Sequence, residues 1–242
     1  MNPIFQEYNR AVVHALDNLI KIDDLVTRKT ENFLKILRAK KEIKTILHCG
    51  FGPVAIGLVD AGYDVSIIDC PYPAQGYATP ALLEEKLPTF KEVDFNTRYD
   101  AVIALDEYFT FVKDEQEQRN LIGSMSDYTK DILIVTLSDY KNMSENTKDF
   151  SDPQGYKTKN GSDMFLEKNT RGRNSFTTKV YHINQDDQLT TFGPFERRML
   201  FFKQLARQTE DSGAVGFDFQ KNVMYKGMLK KNYEHIIAIN FS

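Results

Sequence analysis

The segment from Thr45 to Asp69 limits the fold more than any other part of the chain. Ile46 and Leu47, flanked by β-branched Ile43 and Thr45, make a short apolar run that reads as a strand. Gly50 and Gly52 follow at once and permit backbone angles and close approaches that a Cβ would obstruct. Pro53 suits the first turn of a helix, where its missing N–H costs little. Val65, Ile67 and Ile68 then form a second strand, with Asp69 at its carboxyl end. In a parallel sheet, ligands collect at that edge: the helix N-terminus offers free N–H groups and a positive dipole end, and an acid after the second strand can accept hydrogen bonds from ribose hydroxyls. Two glycines with a strand-terminal acid about 20 residues on have the spacing of a nucleotide-cofactor half-site. The plainer reading of the same residues is a tight structural turn.

The alternation continues beyond this unit. Pro80 opens a helix, Phe90 to Phe95 and Tyr99 to Leu105 read as strands, Asp114 to Met125 as a helix, and Asp131 to Leu137 as a very apolar strand. This pattern calls for a three-layer α/β sandwich. Before it, Val12, Val13, Leu16, Leu19 and Ile20, then Phe33, Leu34, Ile36 and Leu37, recur at helical spacing. They suggest a helical cap over residues 1–40, or a lid on the ligand cleft. Ser138 to Ser175 breaks the alternation, being polar and poor in aliphatic residues, and reads as a surface insertion or flap. Phe176 to Ile183 and Gln188 to Phe192 read as a strand pair. Pro194 to Thr209 reads as a helix, and strands are expected around Val215 to Val223 and His235 to Phe241.

A chain of 242 residues that is 41% hydrophobic can bury one large core, and its net charge of −3 creates no global basic field for nucleic acid or membrane. No run approaches the ~18 apolar residues of a membrane span, and no cleavable apolar leader follows Met1, so a cytoplasmic setting is expected. Two cysteines, Cys49 and Cys70, supply neither a disulfide scaffold nor a zinc cluster and read as small core residues. Four scattered histidines without a His-Glu-x-x-His pair give no catalytic metal site. Arg171, Gly172 and Arg173, with Lys157, Lys159 and Lys168, form a local basic patch able to meet a phosphate or a nucleic acid; Asp149, Asp152, Asp163 and Glu167 offset much of it.

These residues resemble the class I S-adenosylmethionine-dependent methyltransferases. CGFGP looks like that family's first motif, Asp69 matches its ribose-binding acid, and Val93, Asp94 and Phe95 resemble the acid-plus-apolar pair that borders adenine. The segment from Tyr99 through Leu105 into the Asp114 helix is similar to the fourth strand and its following helix. The resemblance covers residues 44–137 well and 194–242 by pattern. It implies a mostly parallel seven-stranded sheet with a reversed last strand, a methyltransferase-like domain over 41–242 with an insertion at about 138–193, and S-adenosyl-L-methionine as cofactor. His48, Gly50, Phe51, Gly52, Asp69, Cys70, Asp94, Phe95 and Leu105 would line its site. His48 departs from the pattern, standing where the family carries an acid that attracts the donor's ammonium, and Val54 stands where a glycine is common.

Asp106, Glu107 and Tyr108, just beyond the fourth strand, are the candidates for orienting an acceptor or removing its proton, and His182 is a further candidate base. The Asn/Asp-Pro-Pro-Tyr/Phe signature of amino-DNA methyltransferases is missing and neither cysteine follows a proline, so a small-molecule acceptor is expected. Tyr72, Tyr77, Tyr108 and Phe109 are candidates to line its pocket. Two alternatives stay open. Gly50, Gly52 and Ala55 also satisfy the NAD(P)- or flavin-binding fingerprint, and a methyltransferase-like domain that binds without catalysing is compatible with His48.

Overall fold

The computed structural model describes residues 2–17, 22–40, 42–71, 81–105, 108–138, 149–150, 153–158, 161–171, 174–223 and 234–242. Two helices, α1 (Pro3–Asp17) and α2 (Ile22–Arg38), precede the alternating core of β1 (Thr45–Cys49), α3 (Pro53–Asp60), β2 (Asp64–Ile68), α4 (Ala81–Lys86), β3 (Tyr99–Ala104), α5 (Glu115–Asp127) and β4 (Thr129–Ser138). An inserted run follows: β5 (Asp149–Phe150), β6 (Pro153–Thr158), β7 (Gly161–Arg171), β8 (Ser175–Ile183) and β9 (Leu189–Arg198). The chain closes with α6 (Phe202–Glu210), β10 (Gly216–Val223) and β11 (Glu234–Asn240).

The main sheet has six strands in the order β10-β11-β4-β3-β1-β2, and β11 runs antiparallel to both of its neighbours. β1, β3 and β4 occupy its middle, which is why their apolar residues run almost without interruption: every residue of β3 is buried. α2 packs on α3, and α1 packs on α4 and on β9 of the insertion. α5 starts with a reciprocal cap, in which the Asp114 carboxylate accepts from the Glu117 N–H at 2.8 Å while Glu117 accepts from the Lys113 N–H at 2.9 Å.

Two expectations change and one narrows. Phe90 to Phe95 contributes a single parallel bridge, Lys91 to Ser66, so the main sheet has six strands instead of seven. The Asp94 carboxylate accepts from the Asn96 N–H at 2.9 Å, and this Asx turn ends the extension. Of the two readings of 138–175, insertion and flap, the described strands fit the insertion: residues 149–150, 153–158 and 161–171 pair as β5, β6 and β7 of a five-stranded antiparallel sheet with β8 and β9. An antiparallel strand does not require the continuous apolar run of a parallel core strand, which removes that signal from the sequence. Finally, Pro194 to Arg198 is strand, not helix. Phe195 and Arg197 are buried on alternate positions of β9, and a charge at a buried position disguises the period-two pattern.

Candidate functional site

The carboxyl ends of β1 and β2 meet at the glycine turn. Gly50 adopts φ +81°, and its N–H donates to the Ile68 carbonyl at 2.8 Å, tying the turn to the end of β2. His48 is buried, with Nδ1 2.8 Å from the Gly50 carbonyl; a carbonyl only accepts, so Nδ1 carries the proton. The imidazole therefore braces the turn from beneath. Gly52 caps α3 with an extended backbone, and a Cβ built on it would meet nothing within 4 Å. That open face, beside the first N–H groups of α3, is a cradle for a ligand's polar edge.

Asp69, at φ +57°, is only 4% exposed. Its Oδ2 accepts from the Tyr108 hydroxyl at 2.5 Å and from the backbone N–H of Asn2 at 2.8 Å, and its Oδ1 accepts from Gln6 Nε2 at 3.4 Å. The first turns of α1 thus lie directly on the strand-terminal acid. Asn9 grips the glycine turn on both sides, its Nδ2 donating to the Phe51 carbonyl and its Oδ1 accepting from the Phe51 N–H, each at 2.8 Å. The Phe5 ring covers Gly50 and meets the Tyr108 ring edge-on at 4.8 Å. Among the described residues a cavity of about 20 Å³ lies at the turn, lined by Asn9, Lys29, His48, Gly52, Leu105 and Thr136. It holds about one water.

The electrostatics follow from this burial. Desolvation first, and then the Asp69 charge, push the Cys49 thiol well above its usual range. Burial first, then the neighbouring Cys49 and Asp69, raise the Tyr108 phenol, so it stays a neutral donor to Asp69. Burial pushes Cys70 up to about 12. Both cysteines are free and buried, as expected of core residues.

The structure brings together His48, Gly50, Phe51, Gly52, Asp69 and Leu105, with Cys70 packed behind them among Phe51, Ala55 and Leu83. Tyr108 joins the group in a different role from the one expected. Its side chain is fully buried and directed at Asp69, so in this structure it positions that carboxylate. Asp94 and Phe95 depart from the group. The Asp94 N–H donates to the Tyr99 hydroxyl at 3.0 Å, and Phe95, 54% exposed, packs on Tyr128, the residue before β4. These contacts draw the pair toward the amino edge of the sheet. Asp106, Glu107, Tyr72, Tyr77, Lys159, Gly172 and Arg173 lie outside the described residues, and for Lys157, Lys168 and Arg171 only the backbone is described. His182 is buried on β8 with Nδ1 3.1 Å from His14 Nε2, which fastens the far half of α1 to the insertion.

Asn2, Gln6 and Asn9 were not legible as site residues. Their sequence signal is three amide side chains, one just before α1 and two on it, interleaved with Phe5 and Tyr8 on a face that is otherwise apolar.

No protein-family model matches the sequence, and no curated protein resembles it significantly. Solved structures do. An S-adenosylmethionine-dependent methyltransferase from Clostridium acetobutylicum superposes with a TM-score of 0.65 at 13% identity, over 97% of this chain and 99% of that one. DesVI of Streptomyces venezuelae gives 0.65 at 9% identity over 87% and 89%. The sugar N-methyltransferase KedS8 of Streptoalloteichus gives 0.64 at 12% identity over 89% and 87%. The chain has the class I S-adenosylmethionine-dependent methyltransferase fold. At these identities the likeness establishes the fold, in agreement with the α/β sandwich and reversed strand that the sequence implies.

Proposed function

We propose that this protein is an S-adenosylmethionine-dependent methyltransferase acting on a small molecule. The observation that carries the proposal is the meeting of Gly50, Gly52 and Asp69 at the carboxyl edge of a sheet whose reversed β11 lies between β4 and β10. The residues suit the cofactor: Asp69 is a carboxylate able to accept from both ribose hydroxyls, and the Gly52 face has space that any Cβ would fill. The reversed strand also favours this reading over a nicotinamide or flavin cofactor. Neighbours in fold include a sugar N-methyltransferase, which supports a small-molecule acceptor. Among the described residues no helix is long and apolar enough to cross a membrane.

The donor supplies an electrophilic methyl group when bound, so the protein's task is to hold and orient. Tyr108 holds Asp69 in place and His48 holds the glycine turn, and aligning the acceptor with the methyl carbon contributes up to ~7 to 11 kcal/mol in favourable cases. Asp106 and Glu107 follow β3 in sequence and remain our candidates for orienting the acceptor or taking its proton. Calorimetric titration with S-adenosylhomocysteine and, separately, with a reduced nicotinamide cofactor tests the reading. Heat from the first and none from the second is expected; the reverse would make the protein an oxidoreductase candidate, and silence from both would favour a domain that binds neither.

A further inference from the structure

We infer that the first turns of α1 are a built-in competitor for the cofactor cleft, and that a nucleoside ligand enters only by displacing them. This rests on the methyl-donor reading above. The acid that should face a ribose already accepts hydrogen bonds on both oxygens, from Asn2, Gln6 and Tyr108. Two of those three donors come from α1 and the residue before it, and they use the acceptor oxygens that ribose hydroxyls would need. The Asn9 amide occupies both backbone groups of Phe51, at the centre of the glycine turn, and Phe5 fills the surface of Gly50. Among the described residues the cavity at the turn is about 20 Å³, against the ~300 Å³ or more that a small-molecule pocket needs.

The two halves of α1 are held differently. Its second half is anchored by Val13 and Leu16 in the core and by the His14–His182 contact with β8. The first half is held by amide clamps to the turn and the acid, along with the buried Phe5 and Tyr8 rings. The amide bonds of the first half exchange readily for equivalent bonds to a ligand or to water, and the burial of the Phe5 and Tyr8 rings is what opening gives up. Opening therefore belongs to residues 2–10, with residues 12–16 as the fixed end. Apparent affinity falls by the fraction of molecules with the cleft open, so weakening the clamp must tighten binding. A lid that closes over a bound cofactor would behave in the opposite way.

The test pairs calorimetry with hydrogen exchange on the full chain. S-adenosylhomocysteine is titrated into the wild type and into the Gln6→Ala/Asn9→Ala double variant, and exchange at residues 3–10 of the wild type is followed with and without it. The expected results are affinity raised about tenfold or more in the variant, and faster exchange at 3–10 with slower exchange at 50–54 when ligand is bound. Equal or weaker binding by the variant, or added protection of residues 3–10, overturns the inference and makes α1 a cover. If the wild type binds and the variant does not fold, the exchange data decide alone. If neither chain binds, the methyl-donor reading fails, and this inference with it.

Discussion

Two glycines two residues apart in one turn do different work. At Gly50 the backbone sits at φ +81°, and an added Cβ would lie 2.5 Å from Phe5 Cε1, a separation real side chains do not show. Gly50→Ala must strain the turn and push α1 away, and we expect a loss of about 2 kcal/mol or more in unfolding free energy. Gly52 is extended and open, so Gly52→Val should leave stability within about 1 kcal/mol of wild type while abolishing binding of S-adenosylhomocysteine. Urea melts and a binding titration on the two variants separate these outcomes. A Gly52→Val protein that binds normally would show that the open face is not the ligand's. The sequence marked both positions as one motif. It left open whether the N-terminal helices cap the sheet or cover the cleft, because a helix's amphipathic stripe says which face is buried but not what it is buried against.

At the scale of elements, the amino edge of the sheet is fixed by one carboxylate. Asp100 Oδ2 accepts from the Lys44 and Thr45 N–H groups at 2.9 Å each and Oδ1 from Lys130 Nζ at 3.1 Å, joining the starts of β1, β3 and β4. Burial alone would raise its pKa, but these donors outweigh burial and hold it at about 2. The folded value lies below the unfolded one, near ~3.9, so the stabilisation is complete above pH ~4 and is lost as pH falls through about 2. Asp100→Asn should therefore cost about 1 to 2 kcal/mol at pH 7, discounted for its partial contact with solvent. The gap from wild type should shrink between pH ~4 and ~2, as chemical melts across that range would reveal. A gap that stays constant with pH would mean that shape, not charge, is what Asp100 supplies. Elements of this parallel core were legible because burial on both faces leaves long apolar runs. Where pairing is antiparallel, in β5 to β7, the residues carry no comparable pattern, and at β9 the buried Arg197 imitates a solvent-facing position.

That arginine also decides how the whole molecule holds together. Arg197, 4% exposed on β9, has its guanidinium 4.2 Å from the Phe111 ring centroid and 4.3 Å from that of Phe176. Its Nε donates to Thr110 Oγ1 at 3.0 Å, in the turn that follows β3, and its Nη1 to Thr178 Oγ1 at 3.4 Å on β8. One side chain thus bridges the inserted antiparallel sheet and the parallel core. A planar cation suits a slot between two rings, and a lysine, with a compact ammonium and no flat face, does not. Arg197→Lys keeps the charge yet should lose about 1 to 3 kcal/mol through weaker stacking and lost hydrogen bonds. The loss should also be uneven. Native-state hydrogen exchange should accelerate in β8 and β9 well before β1, β3 and β4, because the parallel core retains its own buried strands when the bridge is weakened. Uniform acceleration across both sheets would instead mean that they unfold as one unit and that Arg197 is simply part of a single core. The distinction bears on α1, whose second half is fastened to β8 through His14 and His182. A loosened insertion would carry that anchor with it, so the Arg197→Lys variant should also show faster exchange along residues 12–16 of α1.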